Sequence, residues 1–155
     1  MAIFTEEAQV SQGLSPQELN GGAKTSDWIG VGNYDHVTAF VYIGAHGAAT
    51  TLTVNEASDN AGTGPTTMAF KYRKTATTLV DDWGAVISVA ATGVATSGSV
   101  AGQIYAIEID SSDLLAGNDF VQIGLSNPGA SVIASVMFVG SHGRVKQEVP
   151  VSLQS

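Results

Sequence analysis

The chain has no cysteine, which excludes disulfides and thiolate metal sites and leaves the fold to packing and hydrogen bonds. Charge is also scarce: 13% of the 155 residues are charged, against about 25% in an ordinary soluble domain. Bases are rarest, six Lys and Arg against fourteen Asp and Glu, for a net charge of −8. Lys71, Arg73 and Lys74 form one small group and Arg144 with Lys146 a second. Neutralising phosphates takes cations in number, so this balance argues against a nucleic-acid partner. No apolar run reaches the roughly 18 residues of a spanning helix. The opening "MAIFTEEAQVSQG" has neither a basic start nor an apolar stretch of signal-peptide length. The expectation is a soluble chain made in the cytoplasm, with no membrane partner. No Gly-rich segment opens a helix, so a phosphate-cradling loop lacks its structural context.

Gly, Ala, Thr and Ser take the place of the missing charges, and 44% of the residues are hydrophobic. The length suits one domain with a real core. A surface this weakly charged is either uncharged and polar or covered by partners, and the second option points to an oligomer or assembly component.

Residues 1–35 differ from the rest. Their apolar residues (Ile3, Phe4, Leu14, Leu19, Trp28, Ile29) follow no period, and Gly13, Pro16, Gly21, Gly22, Gly30 and Gly32 interrupt them. The segment reads as an extended N-terminal arm lying on its own domain or on a neighbour. Ser15-Pro16-Gln17-Glu18 fits the start of one helical turn, with serine as cap and proline at the first position.

From His36 to the end, residues 36–155, the period is two. "HVTAFVYIG" sets Phe40 and Tyr42 on one face and Ala39, Val41 and Ile43 on the other. "TTLTVN", "MAFKYRK", "AVISVAA", "QIYAIEID", "FVQIGLS" and "SVIASVMFVG" follow, with a last extended piece in "RVKQEVPVSL". In "MAFKYRK" the residues Met68, Phe70 and Tyr72 share one side; in "QIYAIEID" Tyr105, Ile107 and Ile109 point inward. Glycine-rich turns separate these runs, and only "SSDLLAG" offers a further helical turn, capped by Ser111 or Ser112. Seven or eight short strands so punctuated predict an all-β protein: an antiparallel β-sandwich, of jelly-roll type, with the extended arm in front.

Four patterns resemble chemistry. Gly124-Leu125-Ser126-Asn127-Pro128 falls one residue short of the nucleophile elbow of hydrolases. An elbow serine needs a helix after it and an acid before its histidine. Here a strand follows, and no Asp or Glu lies between Ser126 and His142. Asn127-Pro128-Gly129 instead suits a hairpin turn in which proline presets one φ and glycine supplies the next, positive one. "VYIGAHG" and "MFVGSHG" repeat a strand running into Gly-small-His-Gly. If their ends were neighbours, His46 and His142 would make a metal pair with Asp81 or Asp82; two glycine turns with histidine at the rim is the simpler reading. Asp81 and Asp82 are adjacent, so in a strand they face opposite ways and do not pair as acid and base. Trp83 beside them is expected at the edge of the core. "SDNAGTG" has oxygens but not the ordered spacing of a calcium loop. Neither catalytic residue, metal nor cofactor is expected, and the chain reads as non-enzymatic.

The run "AGNDFVQIGLSNPGASVIASVMFVGSHGRVKQEVPVSL", with "FKYRKTA" and the small-residue strands before it, resembles the head-decoration (cement) proteins of tailed bacteriophages over the last two-thirds of the chain. The resemblance implies a homotrimeric virion protein on the outer capsid surface, bound to the major capsid protein and bracing it against internal DNA pressure. An acidic chain belongs on that face, away from packaged DNA. Contact residues are then expected at Ile3, Phe4, Leu14 and Trp28 of the arm and at Arg144, since tryptophan and arginine are favoured at interface centres. A tail-tube or tail-tip subunit, or a carbohydrate-binding module presenting Trp28, Trp83, Tyr34 or Tyr105, would use similar strands.

Overall fold

The computed structural model describes residues 4–77, 81–143 and 153. After a single helical turn, α1 (Phe4–Glu7), every regular element among the described residues but one 3₁₀ turn (Ser111–Asp113) is a strand. In chain order these are β1 (Gln9–Glu18), β2 (Lys24–Thr25), β3 (Ile29–Gly30), β4 (Tyr34–His46), β5 (Thr51–Ala57) and β6 (Thr66–Met68). Then come β7 (Phe70–Lys74), β8 (Ile87–Val89), β9 (Val94–Ala95), β10 (Gln103–Asp110), β11 (Phe120–Leu125) and β12 (Val132–Gly143). They form two antiparallel sheets. Sheet A runs β1-β12-β4-β10-β7-β8 and sheet B runs β2-β11-β5-β6, with β3 also on β11 and β9 also on β5. The chain is an all-β antiparallel sandwich.

Period-two alternation decides what the sandwich buries. Ala39, Val41 and Ile43 of β4 join Tyr105, Ile107 and Ile109 of β10 and Ala134, Val136 and Phe138 of β12 on the inner face of sheet A. Leu52 and Val54 of β5 with Val121, Ile123 and Leu125 of β11 face them from sheet B. Tyr72 and Tyr105 stack with centroids 5.8 Å apart. Most of these side chains are branched or aromatic, which suits a pleated, half-buried surface.

Several expectations change on this frame. The run read as one strand, "MAFKYRK", is two: Met68 ends β6 in sheet B and Phe70 opens β7 in sheet A, with Ala69 as the corner. The alternation survives the corner because both sheets share one interior. The segment read as an arm contributes β1, β2 and β3 to the two sheets. Leu14, Leu19 and Ile29 belong to this chain's own core. Ser15–Glu18 is not a helical turn but the end of β1, whose register shifts between Gln12 and Leu14 and again between Leu14 and Gln17. Proline lacks the amide a ladder needs and so sits at such an irregular edge. The 3₁₀ turn at Ser111 is capped by neither serine: its N-cap is Asp110, without a side-chain cap bond. In the C-terminal piece only Leu153 is described; it is buried, and its carbonyl accepts from the Gly30 amide at 2.7 Å.

Candidate functional site

The sequence motifs come out as architecture. Ser126 follows β11 and extends its ladder: its amide donates to Thr51 O at 3.0 Å, and its Oγ accepts from the Thr51 amide at 2.8 Å. Thr50 Oγ1 donates to the Ser126 carbonyl at 2.7 Å. The turn beyond it uses Gly129 at φ +71, and Asn127 Oδ1 accepts from the Gly129 amide. It is not a hairpin, because β11 lies in sheet B and β12 in sheet A; the turn is a bend between layers. Glu18 secures its far end, accepting from Ser131 Oγ at 2.6 Å and the Val132 amide at 2.7 Å. The Ser131 hydroxyl, foremost, and the amides of Asn20 and Val132 hold the Glu18 carboxyl below its ordinary pKa.

His46 and His142 are not neighbours. On the antiparallel β4–β12 ladder His46 stands opposite Val132, while Ser141, beside His142, stands opposite His36, so the pair occupies opposite ends. Asp81 and Asp82 are exposed beside the end of β7, where Ala76 donates to Asp82 O and Gly84 to Lys74 O. Trp83 bridges Thr75 but is 38% exposed, outside the core expected for it. In "SDNAGTG" Asp59 spends its oxygens on its own loop, accepting from the amides of Ala61 and Thr63 and from Thr63 Oγ1 at 2.7 Å. Among the described residues no group of three His, Asp or Glu is arranged to hold a metal ion, and no helix is long and apolar enough to cross a membrane.

Of the residues expected at contacts, Ile3 and Arg144 lie outside the described residues. Phe4 is 60% exposed on α1 and Leu14 is buried in the core. Trp28 is half-buried on the opposite side of the sandwich from the apolar face described next. Tyr34 and Tyr105 are buried, so the four aromatics do not form an exposed platform.

Three features were not foreseen. The first is the outer face of sheet A. Register places Met137 beside Phe40 and Phe40 beside Ala106, then Ser135 beside Tyr42 and Tyr42 beside Ile104. These side chains point away from the core, and Tyr42, Ile133 and Met137 are each more than 40% exposed. Phe40, Tyr42, Ile104, Ser135 and Met137 line a shallow depression of about 340 Å³. A signal was there to read: "AFVYI" and "SVMFV" are apolar at both parities, the pattern of strands covered on both faces.

The second is a carboxylate–imidazole–carboxylate bridge at one end of the same face. His36 Nδ1 meets Asp110 Oδ1 and His36 Nε2 meets Glu108 Oε2, each at 2.7 Å, and Thr38 Oγ1 donates to Glu108 at 2.9 Å. Both ring nitrogens then donate, which requires the imidazolium. Partial burial, the largest single influence, lowers the His36 pKa; the hydrogen bonds and charges of Asp110 and Glu108 together outweigh it and raise the pKa above its ordinary value. The third is a polar groove of about 550 Å³ beside β2 and β11, lined by Thr25, Ser26, Asp27, Trp28, Asn60 and Gln122.

No protein-family model matches the chain, and no curated protein matches it in sequence. Among solved structures it is similar to the SPBc2 prophage-derived protein YomS, over 90% of this chain and 99% of that one, at 13% identity and a TM-score of 0.46. A likeness at that level carries no argument. The class that the chain's own geometry defines is an antiparallel β-sandwich with one apolar and one polar outer face.

Proposed function

We propose that the chain is a non-enzymatic virion structural protein that decorates and stabilises the outer surface of a tailed-phage capsid as a homotrimer. The observation that carries this reading is the outer face of sheet A. Exposed Tyr42, Ile133 and Met137, continuous with Phe40 and Ile104, make an apolar patch that a monomer has reason to cover. Covering it with further copies of the chain removes apolar surface from water at about 25 cal/mol per Å². Polar groups border it: the His36 bridge at one end, and Lys71 and Arg73 on β7 beyond β10. The net charge of −8 favours the outer surface of a DNA-filled shell over its interior.

The strand order supports the jelly-roll reading. Four strands, β1-β12-β4-β10, face β2-β11-β5-β6, and among these eight the chain passes from one layer to the other at every step except β5 to β6, which are neighbours in sheet B. This order is compatible with the double Greek key of jelly rolls, which many capsid and lectin domains use. The non-enzymatic reading draws support from Ser126, whose hydroxyl is committed to the Thr51 amide. Bracing would then work by mass action: a trimer that binds only the assembled, expanded lattice stabilises it by its binding free energy, repeated over every lattice site.

Native mass measurement of wild type and Met137→Glu, followed by co-sedimentation with expanded capsids lacking the protein, tests this reading. The expected result is a trimer that binds and protects capsids from heat, and a substituted chain that is folded but monomeric. A wild-type chain that stays monomeric and does not sediment with capsids refutes it.

A further inference from the structure

The groove beside β2 and β11 lies on the other side of the sandwich from the apolar face. Its floor is the outer surface of sheet B, where Gln122 points away from the core between inward Val121 and Ile123. The surrounding outward side chains are amides and hydroxyls: Asn55 stands across from Gln122, Thr53 across from Gly124, and Thr25 across from Gly124 on the other side. Gly124 keeps this surface low, since a Cβ there would come within 2.5 Å of Thr53 Oγ1.

The walls are held before any ligand arrives. Ser26 is buried; its amide donates to Ile123 O at 2.9 Å and its Oγ accepts from the Ile123 amide at 3.0 Å. The Asp27 amide donates to Gly13 O at 2.8 Å. These bonds fix the backbone that presents Thr25, Asp27 and Trp28. On the far wall, the Asp59 carboxylate pins the loop that carries Asn60 and Gly62. Gly62, at φ +76, lies against the Trp28 indole so closely that a Cβ would stand 2.5 Å from Nε1 and 2.7 Å from Cε2. The indole is therefore held close by this loop, and it lines the groove.

The polar groups facing the groove have capacity to spare. Gln122 Oε1 accepts a long bond of 3.4 Å from Asn55, which leaves its two N–H donors. The Asp27 carboxylate, the Asn60 amide, the Thr25 hydroxyl and the indole N–H make no side-chain hydrogen bond among the described residues. A fixed aromatic ring beside planar groups that each offer two donors or two acceptors matches a ring-shaped polyol. Such a molecule has an apolar C–H face to lay on the indole and adjacent hydroxyls to be bonded in pairs by Asp27, Asn60 and Gln122. The volume of about 550 Å³ falls within the range of small-ligand sites. Among the described residues no base lines the groove and Asp27 is its one acidic group, which disfavours phosphates and nucleic acid.

We infer that this groove is a saccharide-binding site, with Trp28 as the stacking platform and Asp27, Asn60 and Gln122 as the hydroxyl-reading groups. The ligand class is a neutral oligosaccharide, entered from the exposed side of sheet B. The inference does not rest on the decoration reading, because copies joined through sheet A leave sheet B open.

The test is fluorescence titration of full-length Trp83→Phe protein, in which Trp28 is the only indole, with neutral hexasaccharides of glucose, N-acetylglucosamine, galactose, mannose, xylose and rhamnose. Saturation-transfer NMR on the wild type identifies the bound sugar protons. At least one sugar is expected to saturate and shift the Trp28 emission. Asp27→Ala and Gln122→Ala, both at surface positions, should each weaken binding about tenfold, and Trp28→Ala should abolish it. Absence of saturable binding across the panel overturns the inference. So does binding that Asp27→Ala and Gln122→Ala both leave unchanged, which also covers the case in which Trp28→Ala fails to fold.

Discussion

Gly13 on β1 carries a prediction that separates a built-in strand from an arm laid on a neighbour. A Cβ at residue 13 would stand 2.8 Å from Cδ2 of Phe138, closer still to Cε2, and 3.2 Å from the Ser26 Cβ. Carbon atoms rest about 3.5–4.0 Å apart, so the methyl of Gly13→Ala overlaps the ring by roughly 1 Å. Phe138 is fully buried and has no room to yield. Overpacking of this kind costs about 1–3 kcal/mol, and the lower unfolded-state entropy of alanine returns about 0.4–1 kcal/mol. The net expectation is a loss of about 1–2 kcal/mol, or about 2–8 °C in Tm for a chain of this size. Urea unfolding at two protein concentrations measures it and separates folding from association. Gly22→Ala, which meets nothing within 4 Å, is the control and should be neutral or slightly stabilising. In Gly13→Ala/Phe138→Leu the smaller side chain should return about 1 kcal/mol relative to the sum of the single changes. Were Gly13→Ala as stable as Gly22→Ala, or strictly additive with Phe138→Leu, β1 would not lie over Phe138 and the two-sheet description would fail at its first strand.

Three further outcomes follow from the same geometry. Because the folded His36 pKa is raised, the bridge to Asp110 and Glu108 contributes fully below the ordinary histidine value of about 6.5 and fades as pH rises through the folded pKa. Thermal melts of wild type and His36→Gln should therefore differ by about 0.2–1 kcal/mol at pH 6 and converge on the alkaline side, with Lys71, opposite Glu108, then left as that acid's cross-strand neighbour. Gly93 holds φ +86 with Leu52 O and Thr53 Cγ2 against it, so Gly93→Ala should lose about 2 kcal/mol or more in chemical denaturation. Ser126→Ala deprives the Thr51 amide of the Ser126 Oγ acceptor and should cost about 1–2 kcal/mol in the same assay while leaving capsid co-sedimentation unchanged.

What was readable in the sequence was whatever local alternation decides. "QIYAIEID" is strand from Gln103 to Asp110, with Tyr105, Ile107 and Ile109 buried as the period requires. The crossing at Ala69 was invisible because a strand that changes sheets keeps its inward parity. β1 was missed for a different reason: two register shifts and a proline break its alternation, and its partner β12 lies at the other end of the sequence. β2 and β3 are two residues each, too short to show a period. The apolar outer face was legible in principle, from runs apolar at both parities. The groove was not, since Thr25–Trp28, Asn60 and Gln122 meet only through the pairing of β2 and β5 with β11. The His36 bridge likewise needs the β4–β10 register before its three residues share a face.

The two margins of sheet A have a consequence for how copies of the chain can join. One margin, β1, carries Pro16 and two slips of register; the other, β8, is three residues long. Neither offers the straight ladder of free amides and carbonyls that lets a foreign strand zip on and repeat without end. Contact through the broad side of the sheet remains open, and such contact closes into small rings instead of growing into fibres when the rotation between copies is a whole fraction of a turn.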